Sequence, residues 1–279
     1  MIAFVTTIRH PQNSNDYRRV GQLLSNTLRS VLGQLDADLQ VIVVHNELPD
    51  VSIIDKRIHY VQVDFPAPSQ QSGAIIDFPA FTRDKGTKCA IGVSAARDIG
   101  ADHVMFFDAD DLISNQVATL ANNQPTHPGW YFNSGYIHSV GTRSIQLVAD
   151  GFHEKNGSTS VIKTELIGLP ESVRRDSTQQ EILDSAGSHL IDHLMGKHGY
   201  WQDHVRPAGH VMEPLPFPGA IWMIGTGENV SGNLISGRDR QPITPEMTVE
   251  FALDRPTLPE SAMANTKLKI AQAKRKLGR

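Results

Sequence analysis

At 279 residues, 39% hydrophobic and 20% charged, the chain can bury a large core as one α/β domain or as a domain with an appended half. No stretch approaches the roughly 20 apolar residues of a membrane span, no basic leader precedes the first apolar run, and the lone Cys89 leaves no disulfide or multi-cysteine zinc site. These features predict a cytoplasmic protein. Net charge is −4; the tail from Ala264 carries six Lys/Arg and no acid, so the first 263 residues stand at −10 (−4 − 6), which argues against nucleic acid as a partner.

In chain order, Ile2 to Ile8 reads as a central strand. Asn15 or Asp16 caps an amphipathic helix from Tyr17 to Leu35, with Val20, Leu23, Leu24, Leu28, Val31, Leu32 and Leu35 on one stripe. Leu39 to Val44 and Ile58 to Val63 are further strands, and the Pro/Ser/Gln/Gly run from Pro66 to Gly73 is a long loop. Lys85 to Ile99 reads as a helix ending at Gly100, and the apolar run Val104 to Phe107 then delivers Asp108, Asp110 and Asp111. This alternation predicts a doubly wound, mostly parallel sheet, with ligands beyond the carboxyl ends of its strands.

Three carboxylates at the exit of a buried strand cost too much to leave unpaired, which points to a cation or to a ligand that brings one. Asp108 and Asp110 would share a side on a continuing strand. Their oxygens suit Mg²⁺ or Mn²⁺, ions that in turn hold phosphates. The plainer alternative is an Asp-rich turn capping the next helix. Beyond it, Trp130 to Ser139, Ser144 to Val148 and Ser158 to Lys163 read as short strands. A helix from Gln180 to Lys197 is broken by Gly187, and Ala220 to Ile224 is a strand entering the Gly-rich segment Gly225 to Asn233. The last sixteen residues read as a basic helix with a weak apolar stripe. His189, His193 and His198 lack the Glu of a zinc-protease helix.

Four segments, IAFVTTI with DYRRVGQLLSNTLRSVL, VIVVHNELP, RDKGTKCAIGVSAARDIGADHVMFFDADDL and IWMIGTGENVSGN, together resemble a nucleotide-sugar glycosyltransferase of the GT-A fold, most similar to the large inverting family 2. The resemblance implies a Rossmann-like donor half over residues 1–115, a smaller mixed acceptor-side region over 116–240 and an irregular extension over 241–279. It implies a nucleotide-sugar donor, with a UDP-sugar as first choice, and a glycan or lipid-linked acceptor. Asp108 would meet ribose or metal, Asp110 would bind Mn²⁺ or Mg²⁺ directly, and Asp111 would orient the acceptor or support the site from behind. Thr7, Arg9 and His10 would line the nucleoside pocket, with Asn46 where the family usually has an acid. Lys85 and Lys88, near a helix start, are candidates for phosphate contact.

Thr226 stands where the family often places a metal-binding His, so His210 or Glu228 is the alternative third ligand. In the slot of the family's base stand His189, the first choice because imidazole titrates near neutrality, and Asp192, the second. Two other readings stay open. An idle relative would bind a nucleotide sugar or glycan without turnover, and a phosphohydrolase would act without nucleotide-sugar dependence. The basic tail could touch an anionic membrane surface or stand as a solvated helix.

Overall fold

The computed structural model describes residues 1–71, 77–197, 200–228 and 240–276. Residues 229–233 of the Gly-rich segment, His198, and the chain from 277 on lie outside the described residues. Strands β1 (Ile2–Thr7), β2 (Leu39–His45), β3 (Ile58–Gln62) and β4 (His103–Phe106) form a parallel block in the order β3-β2-β1-β4. Helices α1 (Tyr17–Leu32) and α2 (Phe78–Asp98) cover its two faces. Alternation along β1 decides which residue meets which helix. Ala3 and Val5 pack with the α2 side, Ile2 and Phe4 with the α1 side. The fold is thus mixed α/β with a mostly parallel central sheet, as the strand–helix alternation predicts.

The stripe of α1 is buried from Val20 to Val31, but Leu35 is 70% exposed because the helix ends at Leu32 and Gly33. α2 begins seven residues earlier than the sequence suggests. Asp77 caps it by accepting from Ala80 N at 3.3 Å, and Pro79 is tolerated in the first turn, where its missing N–H has no partner to lose. Lys85 and Lys88 therefore lie inside the helix and not at its positive end.

The later strands divide between two sheets. After β5 (Leu112–Ile113) and a short α3 (Val117–Asn122), the single strand expected over Trp130 to Ser139 is two, β6 (Gly129–Tyr131) and β7 (Gly135–Ser139). β6 lies beside β9 (Ser160–Lys163), which runs antiparallel to β4 and extends the first sheet; β10 (Glu213–Pro214) completes it. β7 joins β8 (Ser144–Val148), β11 (Ala220–Ile224), β12 (Arg240–Pro242) and β5 in the second sheet. Gly135, at the switch, has the Phe152 ring only 2.5 Å from where a Cβ would stand, so a longer side chain would not fit there. The Asp-rich segment spans the joint, with β4 in one sheet and β5 in the other.

α4 (Gln179–Ser188) is capped by a reciprocal Thr178–Glu181 box, and Gly187 breaks it at φ +74° as expected from the sequence. A π-helix, His189–Met195, follows and packs against α2, with Ile191 at Gly86 and Gly196 at Thr82. α5 (Trp201–Val205), α6 (Pro245–Glu250) and α7 (Leu258–Lys276) close the chain. Among the described residues no helix is long and apolar enough to cross a membrane.

Candidate active site

Beyond the carboxyl ends of β1 and β4 lies a cavity of about 430 Å³. Its floor is Thr7, Ile8 and Arg9 from the exit of β1, together with Asp108 and Asp110. Phe78, Phe81 and Lys85 of α2 form one wall, Lys155, Asn156 and Gly157 another, with Trp222 and Glu228 above.

The acidic segment is a turn, not a continued strand: Asp111 N donates to Asp108 O at 3.1 Å. Ser158, carried in by β9 alongside β4, fixes that turn from both ends. Its hydroxyl accepts from Asp108 N at 2.8 Å and donates to Asp111 Oδ2 at 2.7 Å. Met223 N of β11 donates to the other Asp111 oxygen at 3.1 Å. Asp111 is 1% exposed and does not line the cavity, so of its two expected roles it is the place behind the site, not contact with an acceptor, that its position allows. Burial, with the charges of Asp110 and Asp108, pushes its carboxyl well above the ordinary range. It ties the two sheets together behind the site.

Asp108 and Asp110 do face the cavity, brought there by the turn. Lys85 forms an ion pair with Asp108. Asp110 accepts from Thr226 Oγ1 at 3.4 Å, and burial and Asp108 push it up to about 6. Repulsion between two carboxylates in one cavity is what a bound cation relieves. Among the described residues no three His, Cys, Asp or Glu side chains converge on a ready-made cage. Two carboxylates nevertheless fit a cation that keeps its waters and shares substrate phosphates, which is how Mg²⁺ is commonly held.

Glu228, 5% exposed, is not placed as a third ligand. Oε1 accepts from Asn15 N at 3.1 Å and Asp16 N at 2.8 Å; Oε2 accepts from Arg9 Nη1 at 2.9 Å and Ser14 Oγ at 3.2 Å. Arg9 Nη2 also donates to the Glu228 carbonyl at 2.6 Å. The carboxylate sits at the positive end of α1 and fastens the loop after β11 to the exit of β1.

Several expected contacts lie elsewhere. Lys88 is wholly buried, pairs with Asp84 at 2.8 Å and donates to Ile8 O at 3.0 Å; it braces the exit of β1 and does not line the cavity. Burial lowers its pKa, with the Asp84 charge opposing. His10 caps the short Pro11–Asn13 turn, accepting from Gln12 N at 3.2 Å. Asn46 donates to Val63 O and Phe65 O at 3.3 and 2.8 Å, pinning the exit of β3. Neither lines the cavity, because each is spent on local backbone. His189 is exposed with its ring 6.0 Å from His193, and His210 borders a different cavity. Asp192 is bound to Arg83 at 3.2 Å, and neither it nor His189 lines the cavity, although Gly196 and Lys197 just beyond their helix do.

Sequence reasoning missed Asn156, Ser158 and the two phenylalanines. The turn KNGS and the DFPAF helix start were visible, but only pairing of β9 with β4 brings the former to the Asp turn.

No family model and no curated protein matches the chain. Among solved structures, it is similar to the 1–349 fragment of S. aureus TarS in complex with UDP, at 12% identity and TM-score 0.44, over 80% of this chain and 60% of that one. The same fragment in complex with UDP-GlcNAc aligns at 13% identity and TM-score 0.43, over 84% and 62%. Francisella tularensis 2-C-methyl-D-erythritol 4-phosphate cytidylyltransferase aligns at 9% identity and TM-score 0.38, over 90% and 98%. The chain thus spans about 60% of the length of the TarS fragment. Function rests on the chain's own residues.

Proposed function

We propose that the chain is a glycosyltransferase that moves a sugar from a nucleotide diphosphate to an acceptor hydroxyl, with inversion and with help from Mn²⁺ or Mg²⁺. One observation carries this reading: Asp108 and Asp110 share a cavity with Lys85 and Arg9 beyond the carboxyl ends of parallel strands. Two acids alone would repel a diphosphate, and two cations alone would hold it without a metal. The mixture suits a diphosphate that arrives with a cation.

Asp108 and Asp110 would hold that ion, which when bound supplies charge neutralisation on the departing diphosphate. Lys85, already paired with Asp108, would reach the phosphates. Thr7 and Arg9 would border the nucleoside, with Phe78 and Phe81 giving it an apolar wall. Trp222 and the strap Lys155 to Gly157 would enclose the sugar and exclude water. The donor we favour is a UDP-sugar and the acceptor a glycan or lipid-linked hydroxyl. For a lipid-linked acceptor, Lys267, Lys269, Lys274, Arg275 and Lys276 supply a basic tail suited to an anionic surface.

The test is release of nucleoside diphosphate from UDP-, GDP- and dTDP-sugars with Mn²⁺ present. One donor should turn over, and Asp110→Asn should slow it about a hundredfold or more. Absence of turnover with every donor, or full activity in Asp110→Asn, refutes the reading.

A further inference from the structure

A second cavity, of about 290 Å³, is not used by the donor chemistry, and its Tyr131 stands in register with Ser160 and Phe106, at the same end of the first sheet as the Asp turn. It is bordered by Tyr131 at the end of β6, His153, and Tyr200, Gln202, Asp203 and Arg206 around the start of α5. Two pieces of chain connect its wall to that of the first. Lys155 follows His153 by two residues, and Lys197 precedes Tyr200 by three.

Its chemistry differs from that of the donor cavity. Asp203 and Arg206 neutralise each other at 2.8 Å, so the rim carries no net charge to attract a phosphate. The His153 ring sits edge-on to Tyr131 and Tyr200, with centroids at 4.8 and 6.1 Å. Burial lowers its pKa and favours the neutral imidazole. Tyr200, 52% exposed, and Val211, 70% exposed, leave apolar surface open at the mouth. An aromatic face beside planar amide, carboxylate and guanidinium groups matches a ligand with one apolar C–H face and a belt of hydroxyls.

We infer that this cavity is a subsite for a neutral saccharide, the acceptor glycan, whose reacting end would extend past the Lys155 strap into the donor cavity. The ligand's role as acceptor rests on the glycosyltransferase reading; its class rests on the cavity alone. Tyr200 would stack on a pyranose ring, with Gln202, Asp203 and Arg206 reading its hydroxyls. A nucleotide or an acidic glycan is disfavoured by the balanced charge.

The experiment is capture of the full chain on an array of neutral immobilised oligosaccharides, repeated with Tyr200→Ala and Gln202→Ala. Tyr200 is the exposed residue before α5 and Gln202 is half-buried in its first turn, and UDP-induced thermal shift on each variant checks the donor cavity separately. The expected result is capture by at least one neutral glycan, weakened about tenfold or more by Tyr200→Ala, with the UDP shift unchanged. No capture by wild type, or capture that both substitutions leave intact, overturns the subsite. Loss of capture in Tyr200→Ala supports it even if UDP binds nowhere, an outcome that would fell the glycosyltransferase reading alone.

Discussion

Glu228 brings a full negative charge to a position 5% exposed, and its two oxygens are satisfied by an arginine, a hydroxyl and two backbone N–H groups. Removing that charge leaves the partners in place without their acceptor. Glu228→Gln should therefore lower stability by about 2–3 kcal/mol, checked by urea unfolding. The same substitution frees Arg9, so it should alter the KM for donor more than kcat. Ser158 acts on the neighbouring turn through one hydroxyl. Ser158→Ala leaves Asp111 short of a donor and should cost about 1–2 kcal/mol in the same assay. At this scale the sequence shows Thr7, Arg9, Asp108 and Asp110 at or just past the ends of apolar runs and Lys85 in a charged helical segment, and all five line one cavity. It hides Ser158 and leaves Asp111 open between the acceptor and a place behind the site, since adjacent acids in a turn point to different places and no periodicity tells which one is buried.

Among the elements, α2 and the π-helix are pressed together at two glycines. A Cβ on Gly86 would stand 2.1 Å from Ile191 O, and one on Gly196 would stand 2.2 Å from Thr82 O. Neither backbone can yield without moving its helix. Gly86→Ala is expected to cost about 1–3 kcal/mol and to displace Gly196 and Lys197 from the cavity wall, read as lower thermal stability together with weaker donor binding. The early start of α2 has a related lesson. Helical periodicity locates Lys85 to Ile99, but the segment DFPAF is helical through capping and proline placement, which apolar patterning does not register. At the split of Trp130 to Ser139 into two strands, Phe152 packs on Gly135, a contact that apolar patterning does not register either.

Across the whole molecule, the two sheets meet at the Asp turn, so the stability of the second sheet governs the shape of the site. His138 of β7 is 2% exposed, and burial holds its pKa down at about 4, against an ordinary 6.5. The unfolded chain binds that proton between pH 6.5 and 4 while the native chain does not. Stability from this residue is therefore complete above pH 6.5 and is lost as pH falls towards 4, by up to about 3 kcal/mol. Urea midpoints at pH 7 and pH 4.5 should separate widely in wild type and less in His138→Gln. The parallel block was legible in the alternation of strands and helices. The return of β9 to β4, which assembles the site, was not, because a short antiparallel strand carries no signal of its partner. The account turns on a cation held between Asp108 and Asp110 together with a diphosphate. Electron paramagnetic resonance of Mn²⁺ measures that directly: adding the protein with UDP should quench the six-line signal of the free ion, and Asp110→Asn should restore it. A signal unchanged by wild-type protein and UDP, or quenched equally by Asp110→Asn, would contradict it.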